Sequence, residues 1–159
     1  MKARGIALSV LLAISTIASA ASDPVAQAKK LYFAIHKQDW HALYFLAAFS
    51  PAVKKQLKGA DKFAADVQKG FTSSKDSDSV KKLLDSISNI RVGAATIKGS
   101  TAQVPTKADI IVGGKKMHFG GIANMINDHG TWKWDLSYTD NVESATAQQI
   151  QKLLGGRVK

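Results

Sequence analysis

The stretch from Thr101 to Tyr138 constrains the fold more than any other part of the chain: TAQVPTKADIIV, GG, KKMHFGGIANMI, NDHG, TWKWDLSY. β-formers alternate with polar residues in each run and turn residues close each one, which predicts three consecutive antiparallel strands. A two-residue turn at Gly113-Gly114 pairs Val112 with Lys115, Ile110 with Met117 and Asp109 with His118. A loop over Asn127 to Gly130 then pairs Ile126 with Thr131, Ala123 with Trp134 and Phe119 with Tyr138. Because side chains alternate across a strand, this register assigns two faces. Val104, Thr106, Ala108, Ile110, Val112, Met117, Phe119, Gly121, Ala123, Met125, Trp132, Trp134, Leu136 and Tyr138 face a core. Lys107, Asp109, Ile111, His118, Ile122, Asn124, Ile126, Lys133, Asp135 and Ser137 face outward.

Helices are predicted ahead of the sheet. Asp23-Pro24 is a cap followed by a proline at the first helical position, and Val25, Ala28, Leu31, Tyr32 and Ile35 then recur at spacings of three and four. Asp39 caps a second helix from Trp40 to Phe49 that is apolar nearly all round. Ser50-Pro51 opens a short basic helix through Lys58, Asp61 caps another carrying Phe63 and Val67 with its boundary at Gly70, and Val80, Leu83, Leu84 and Ile87 mark a last short one. Thr72 to Asp78 is polar and reads as a surface loop. Ile90 to Lys98 is the first strand. A strict turn at Gly99-Ser100 would send Arg91 to the core side, whereas a bulge near Pro105 restores Ile90 and Val92 to it. After Tyr138, Asp140 caps a C-terminal helix carrying Val142, Ala145, Ile150, Leu153 and Leu154. Its narrow apolar stripe suits either the outer sheet face or a partner.

Residues 1–20 read as an export signal. Lys2 and Arg4 precede the apolar run Ile6 to Ile17, and Ala18-Ser19-Ala20 supplies a small-x-small cleavage site. The run is shorter than the ~20 residues of a membrane-spanning helix. Residues 21–159 are then one periplasmic or secreted domain, cut near Ala20. The chain has no cysteine, so packing rather than disulfides must hold it. Its net charge of +10 is spread over pairs such as Lys29-Lys30, Lys54-Lys55, Lys81-Lys82 and Lys115-Lys116. An anionic envelope surface is therefore a possible partner. Nucleic acid is not expected, because the basic residues form no aromatic-interleaved stripe and no known motif.

Chemistry-bearing patterns are sparse. His36, His41, His118 and His129 have no metal-ligand spacing, and no thiolate is available, so no metal and no cofactor are expected. Asp76-Ser77-Asp78 lacks the glycine and distal glutamate of a calcium loop. Gly113-Gly114-Lys115-Lys116 lacks phosphate-loop spacing. In the register above the core face from Val104 onward holds no carboxylate, histidine or lysine. A one-residue slip would bring Asp109, His118 and Asp135 inside together, but would expose both tryptophans of the last strand.

Helices first and an antiparallel meander last give an α+β class, with N-terminal helices packed on a curved antiparallel sheet of about four strands and a C-terminal helix. The element order, the helix opening at Asp39-Trp40 and the last strand Gly130-Thr131-Trp132-Lys133-Trp134 resemble the NTF2-like superfamily of cone-shaped domains. That resemblance implies an apolar pocket between helices and sheet, used by isomerases and dehydratases in some members and by binding or scaffold proteins in others. The residues placed to line it are Tyr32, Tyr44, Phe45, Phe119, Met125, Trp132, Trp134 and Tyr138. The expectation is an exported, non-enzymatic binding or accessory domain for an apolar small molecule. The alternatives are a small lyase or isomerase using Asp109, His118 and His36, and an interaction module that forms a homodimer through the outer sheet face.

Overall fold

The computed structural model describes residues 22–73 and 77–137. Helix α1 (Pro24–His36) starts where Asp23 accepts from the backbone N–H groups of Val25 and Ala26 at 3.1 and 3.3 Å. It buries Ala28, Leu31, Tyr32 and Ile35, the stripe its spacing requires. Gln38 adopts φ 54 and turns the chain, so that Asp39 caps α2 (Trp40–Leu46) through Ala42 N–H at 2.9 Å. Ser50 caps α3 (Pro51–Gln56) in the same way. Helix α4 (Ala60–Ser73) runs through Gly70, and α5 (Ser77–Asp85) precedes the sheet.

The strands depart from the sequence expectation in several places. The apolar run after Trp40 is not one helix: it ends at Leu46 and continues as strand β1 (Ala47–Phe49), fully buried. β1 lies parallel to the last strand β6 (Thr131–Leu136), with Ala47 opposite Trp134 and Phe49 opposite Leu136. The sheet is therefore mixed and six-stranded among the described residues, not a four-stranded antiparallel meander. The first strand is also split, into β2 (Ser88–Val92) and β3 (Thr96–Lys98), both pairing with β4 (Thr101–Val112). The break falls opposite Pro105, which has no N–H to offer, and Gly93 closes it by donating to the Pro105 carbonyl at 2.8 Å. A Cβ at Gly93 would lie 3.0 Å from Pro105 Cγ, so a larger residue there would press on the proline ring. The split returns Ile90 and Val92 to the core side and leaves Arg91 exposed.

β4 and β5 (Lys115–Asp128) pair as the sequence requires: Val112 with Lys115, Ile110 with Met117, Asp109 with His118. The β5–β6 pairing is shifted. Asp128, not Ile126, faces Thr131, and Met125, not Ala123, faces Trp134. His129 (φ 51) and Gly130 (φ 88) make a two-residue turn in place of the longer loop. The shift is two residues, so parity and both faces are kept. The sheet order is β1-β6-β5-β4-β2 with β3 also on β4.

The helices cover the inner face. Trp134, Leu31, Ile35, Leu43, Phe63, Met125 and Val104 are all less than 2% exposed or at that margin, and burial of such side chains contributes about 1.5–3 kcal/mol each. One polar pair lies among them. Thr106 Oγ1 sits 2.5 Å from the Tyr32 hydroxyl and 3.2 Å from the Gly121 carbonyl oxygen. A carbonyl only accepts and a hydroxyl has one proton, so Thr106 donates to Gly121 and Tyr32 donates to Thr106. Burial pushes the Tyr32 phenol up to about 12. The expected export signal at residues 1–20 and the expected C-terminal helix lie outside the described residues, as does Asp76.

Candidate functional site

Among the described residues no helix lies over the outer face of β2, β4 and β5, and the residues of that face divide into rows across the strands. In one row Arg91 on β2 stands directly opposite Lys107 on β4, and Lys107 stands opposite Gly120 on β5. All three are exposed. Like charges directly opposed across strands are unfavourable. Gly120 adds no side chain, so the two cations border a notch rather than a ridge.

In the next row the outward side chain of Asp109 is only 12% exposed. Asn89 Nδ2 donates to Oδ2 at 2.7 Å, Lys116 Nζ to Oδ2 at 2.7 Å, and His118 Nδ1 lies 2.6 Å from Oδ1. The Asn89 hydrogen bond first, then those of Lys116 and His118, hold this carboxyl well below the usual carboxylate range. The His118 side chain is 81% exposed. Asp109 is the one acid among the outward residues of β2, β4 and the 115–124 part of β5. Its charge is enclosed by its own donors, while Arg91, Lys107 and the His118 ring face water.

The Asp109–His118 pairing was legible from the hairpin turn; Asn89 and Lys116 were not named with it. Lys116 is the diagonal neighbour on the same face, two residues before His118, so the cross-strand rule reaches it. Asn89 reaches the site through φ 50 in an irregularity between Ser88 and Arg91. Asparagine is among the few residues that adopt this conformation readily, which is the one hint available in sequence.

The residues expected to act with this pair, or to line a pocket, stand elsewhere. His36 is on the helix side of the sheet, where Nδ1 donates to the Leu84 carbonyl at 3.1 Å. It closes the end of α5 and is not joined to Asp109 and His118. Asp135 accepts from Ser137 N–H and Oγ just past the end of β6. Tyr32, Met125, Trp132 and Trp134 are each 5% exposed or less and belong to the packed core. Tyr44 and Phe119 pack at its border. Phe45 is 60% exposed, with its ring against Tyr44 and His41. Tyr138 lies outside the described residues. A cleft of about 90 Å³ lies between α4, α5 and the end of α1, lined by Gln38, Gln68, Phe71, Asp78, Lys81 and Leu84 among others. It has room for a few waters, well below the ~300 Å³ at which small-molecule sites begin.

No protein-family model matches the chain, and no curated protein matches it. Among solved structures, the chain is similar to the solution structure of a SEC-C motif containing protein from Rhodopseudomonas palustris, at 17% identity and a TM-score of 0.42, over 72% of this chain and 78% of that one.

Proposed function

We propose that the chain is a non-enzymatic binding domain that works through the outer face of its sheet, held against an anionic envelope surface. The observation that carries this reading is the opposed pair Arg91 and Lys107. Two exposed cations facing each other across strands lower stability, and an anion between them removes the cost. The enclosure of Asp109 by Asn89, Lys116 and His118 supports the reading, because it withdraws the nearest negative charge. The overall charge of +10 adds long-range attraction. The envelope location rests on the signal pattern of residues 1–20. The NTF2-like resemblance belongs to the same reading, with the sheet's outer face rather than an internal pocket as the working surface.

The test is co-sedimentation with vesicles of mixed phosphatidylcholine and phosphatidylglycerol against vesicles of phosphatidylcholine alone. Binding to the first, weakening steeply with added salt, is expected. Equal partition onto both kinds of vesicle would sink the proposal.

One observation favours a second reading. The 2.6 Å contact between Asp109 and His118 orients an exposed imidazole as a carboxylate–histidine pair does in general-base catalysis. His36 does not take part, and the face around the pair is open to water. If a hydrolytic or lyase activity is found, its survival in Asp109→Ala and His118→Ala variants would eliminate this reading.

A further inference from the structure

The geometry points to the tip of the β4–β5 hairpin as a wedge that enters an anionic lipid bilayer, an inference that rests on the anionic-surface reading and says where contact becomes insertion. Every residue from Ile111 to His118 is exposed. The helical layer stops short of this segment: Ile110 is 7% exposed, whereas Val112 and Met117 on the same face are 39% and 50% exposed. On the opposite face Ile111 is 53% exposed. A ribbon with bare apolar side chains on both faces differs from scattered single surface residues, which need no explanation.

The charge pattern selects the partner. Ile111 faces Lys116 and Val112 faces Lys115, so each apolar residue of the β4 end has a lysine beside it on β5. From residue 107 to 118 there are three lysines and one carboxylate, and that carboxylate is Asp109, already enclosed. The apex is Gly113-Gly114 at φ 57 and 76, a narrow turn with no side chain and no charge to bury. Such a tip enters the headgroup layer with Ile111, Val112 and Met117 toward the acyl chains. Lys115 and Lys116 lay their methylene stems along the apolar surface and keep their ammonium groups at phosphate level. No helix among the described residues is long and apolar enough to cross a membrane.

The absence of cysteine makes the test clean. Val112→Cys and, as control, Gln56→Cys on α3 are labelled with a nitrobenzoxadiazole dye and mixed with phosphatidylcholine–phosphatidylglycerol vesicles. The dye at 112 should brighten and shift to the blue, and the dye at 56 should not change. Ile111→Ser/Met117→Ser, at exposed positions that leave the circular dichroism spectrum unchanged, should weaken vesicle binding by roughly tenfold. Salt-sensitive vesicle binding with an unshifted dye at 112 and undiminished binding of the double variant would overturn the wedge and leave the sheet-face reading standing. No binding to anionic vesicles would end both. A dye at 112 already shielded before vesicles are added, as when a second copy or another part of the chain covers the tip, would also overturn it.

Discussion

Arg91 and Lys107 stand directly opposite each other on neighbouring strands, both exposed, with Gly120 completing the row. Relieving this repulsion should stabilise the fold. Lys107→Glu converts a like-charge pair into an attractive one, and urea unfolding should show a gain of about 0.2–1 kcal/mol at low salt. In the Arg91→Ala background the same substitution should give little of that gain, which a double-mutant cycle measures directly.

Asp109 has its carboxyl held down by Asn89, Lys116 and His118. A folded pKa below the unfolded value of ~3.9 means that its contribution to stability is complete above that pH and is lost as pH falls toward the folded value. Thermal melts of the parent should therefore lose stability in acid, and Asp109→Asn should lose less over the same range. A carbon-detected titration of the Asp109 side chain should show it still ionised below the usual carboxylate range.

The Tyr32–Thr106 pair should respond unequally to its two deletions. Thr106→Val leaves a buried phenol donor with no acceptor, at a cost of about 1–3 kcal/mol, while Tyr32→Phe leaves Thr106 bonded to Gly121 and costs about 1 kcal/mol. The folded pKa of Tyr32, about 12, lies above the ordinary tyrosine value of 10.0. Its contribution is thus complete below ~10 and fades as pH rises through the folded value, so Tyr32→Phe should flatten the alkaline loss of stability. Chemical denaturation across alkaline pH reads both effects.

Trp134 and Phe45 were both placed on a pocket wall by the sequence, and they now make opposite predictions. Trp134 is 2% exposed beneath the helices, and Phe45 is 60% exposed. Trp134→Ala should cost about 3–5 kcal/mol and Phe45→Ala within about 0.5 kcal/mol, by urea unfolding.

These residues also show what could be read in advance. The caps at Asp23, Asp39 and Ser50, and the pairing of Asp109 with His118, follow from local chemistry that tertiary contacts do not override. The outward face of β4 and β5 was legible for the same reason, since a Gly-Gly turn fixes parity. Ala47 to Phe49 was not, because a short apolar run is equally compatible with a buried helix and a buried strand, and only its pairing with β6 decides. The β5–β6 register was missed by two residues because Asn127 and Asp128 continue β5 and the turn is confined to His129 and Gly130, two residues in place of a four-residue loop. Asn127 accepts from Gly130 N–H through its side chain. The opposition of Arg91 to Lys107 depends on the break opposite Pro105. The proline announced a disruption, but the cations' alignment required knowing where β2 resumed.

The most direct measurement compares two charge reversals of equal size. Arg91→Glu/Lys107→Glu alters the sheet face, and Lys29→Glu/Lys30→Glu alters exposed residues of α1 on the other side of the molecule. Both change the net charge equally, so a purely global attraction would suffer equally. Binding to phosphatidylcholine–phosphatidylglycerol vesicles at fixed salt should fall by at least about tenfold in the first and by less than about threefold in the second. Equal losses, or no loss at the sheet face, would contradict the account.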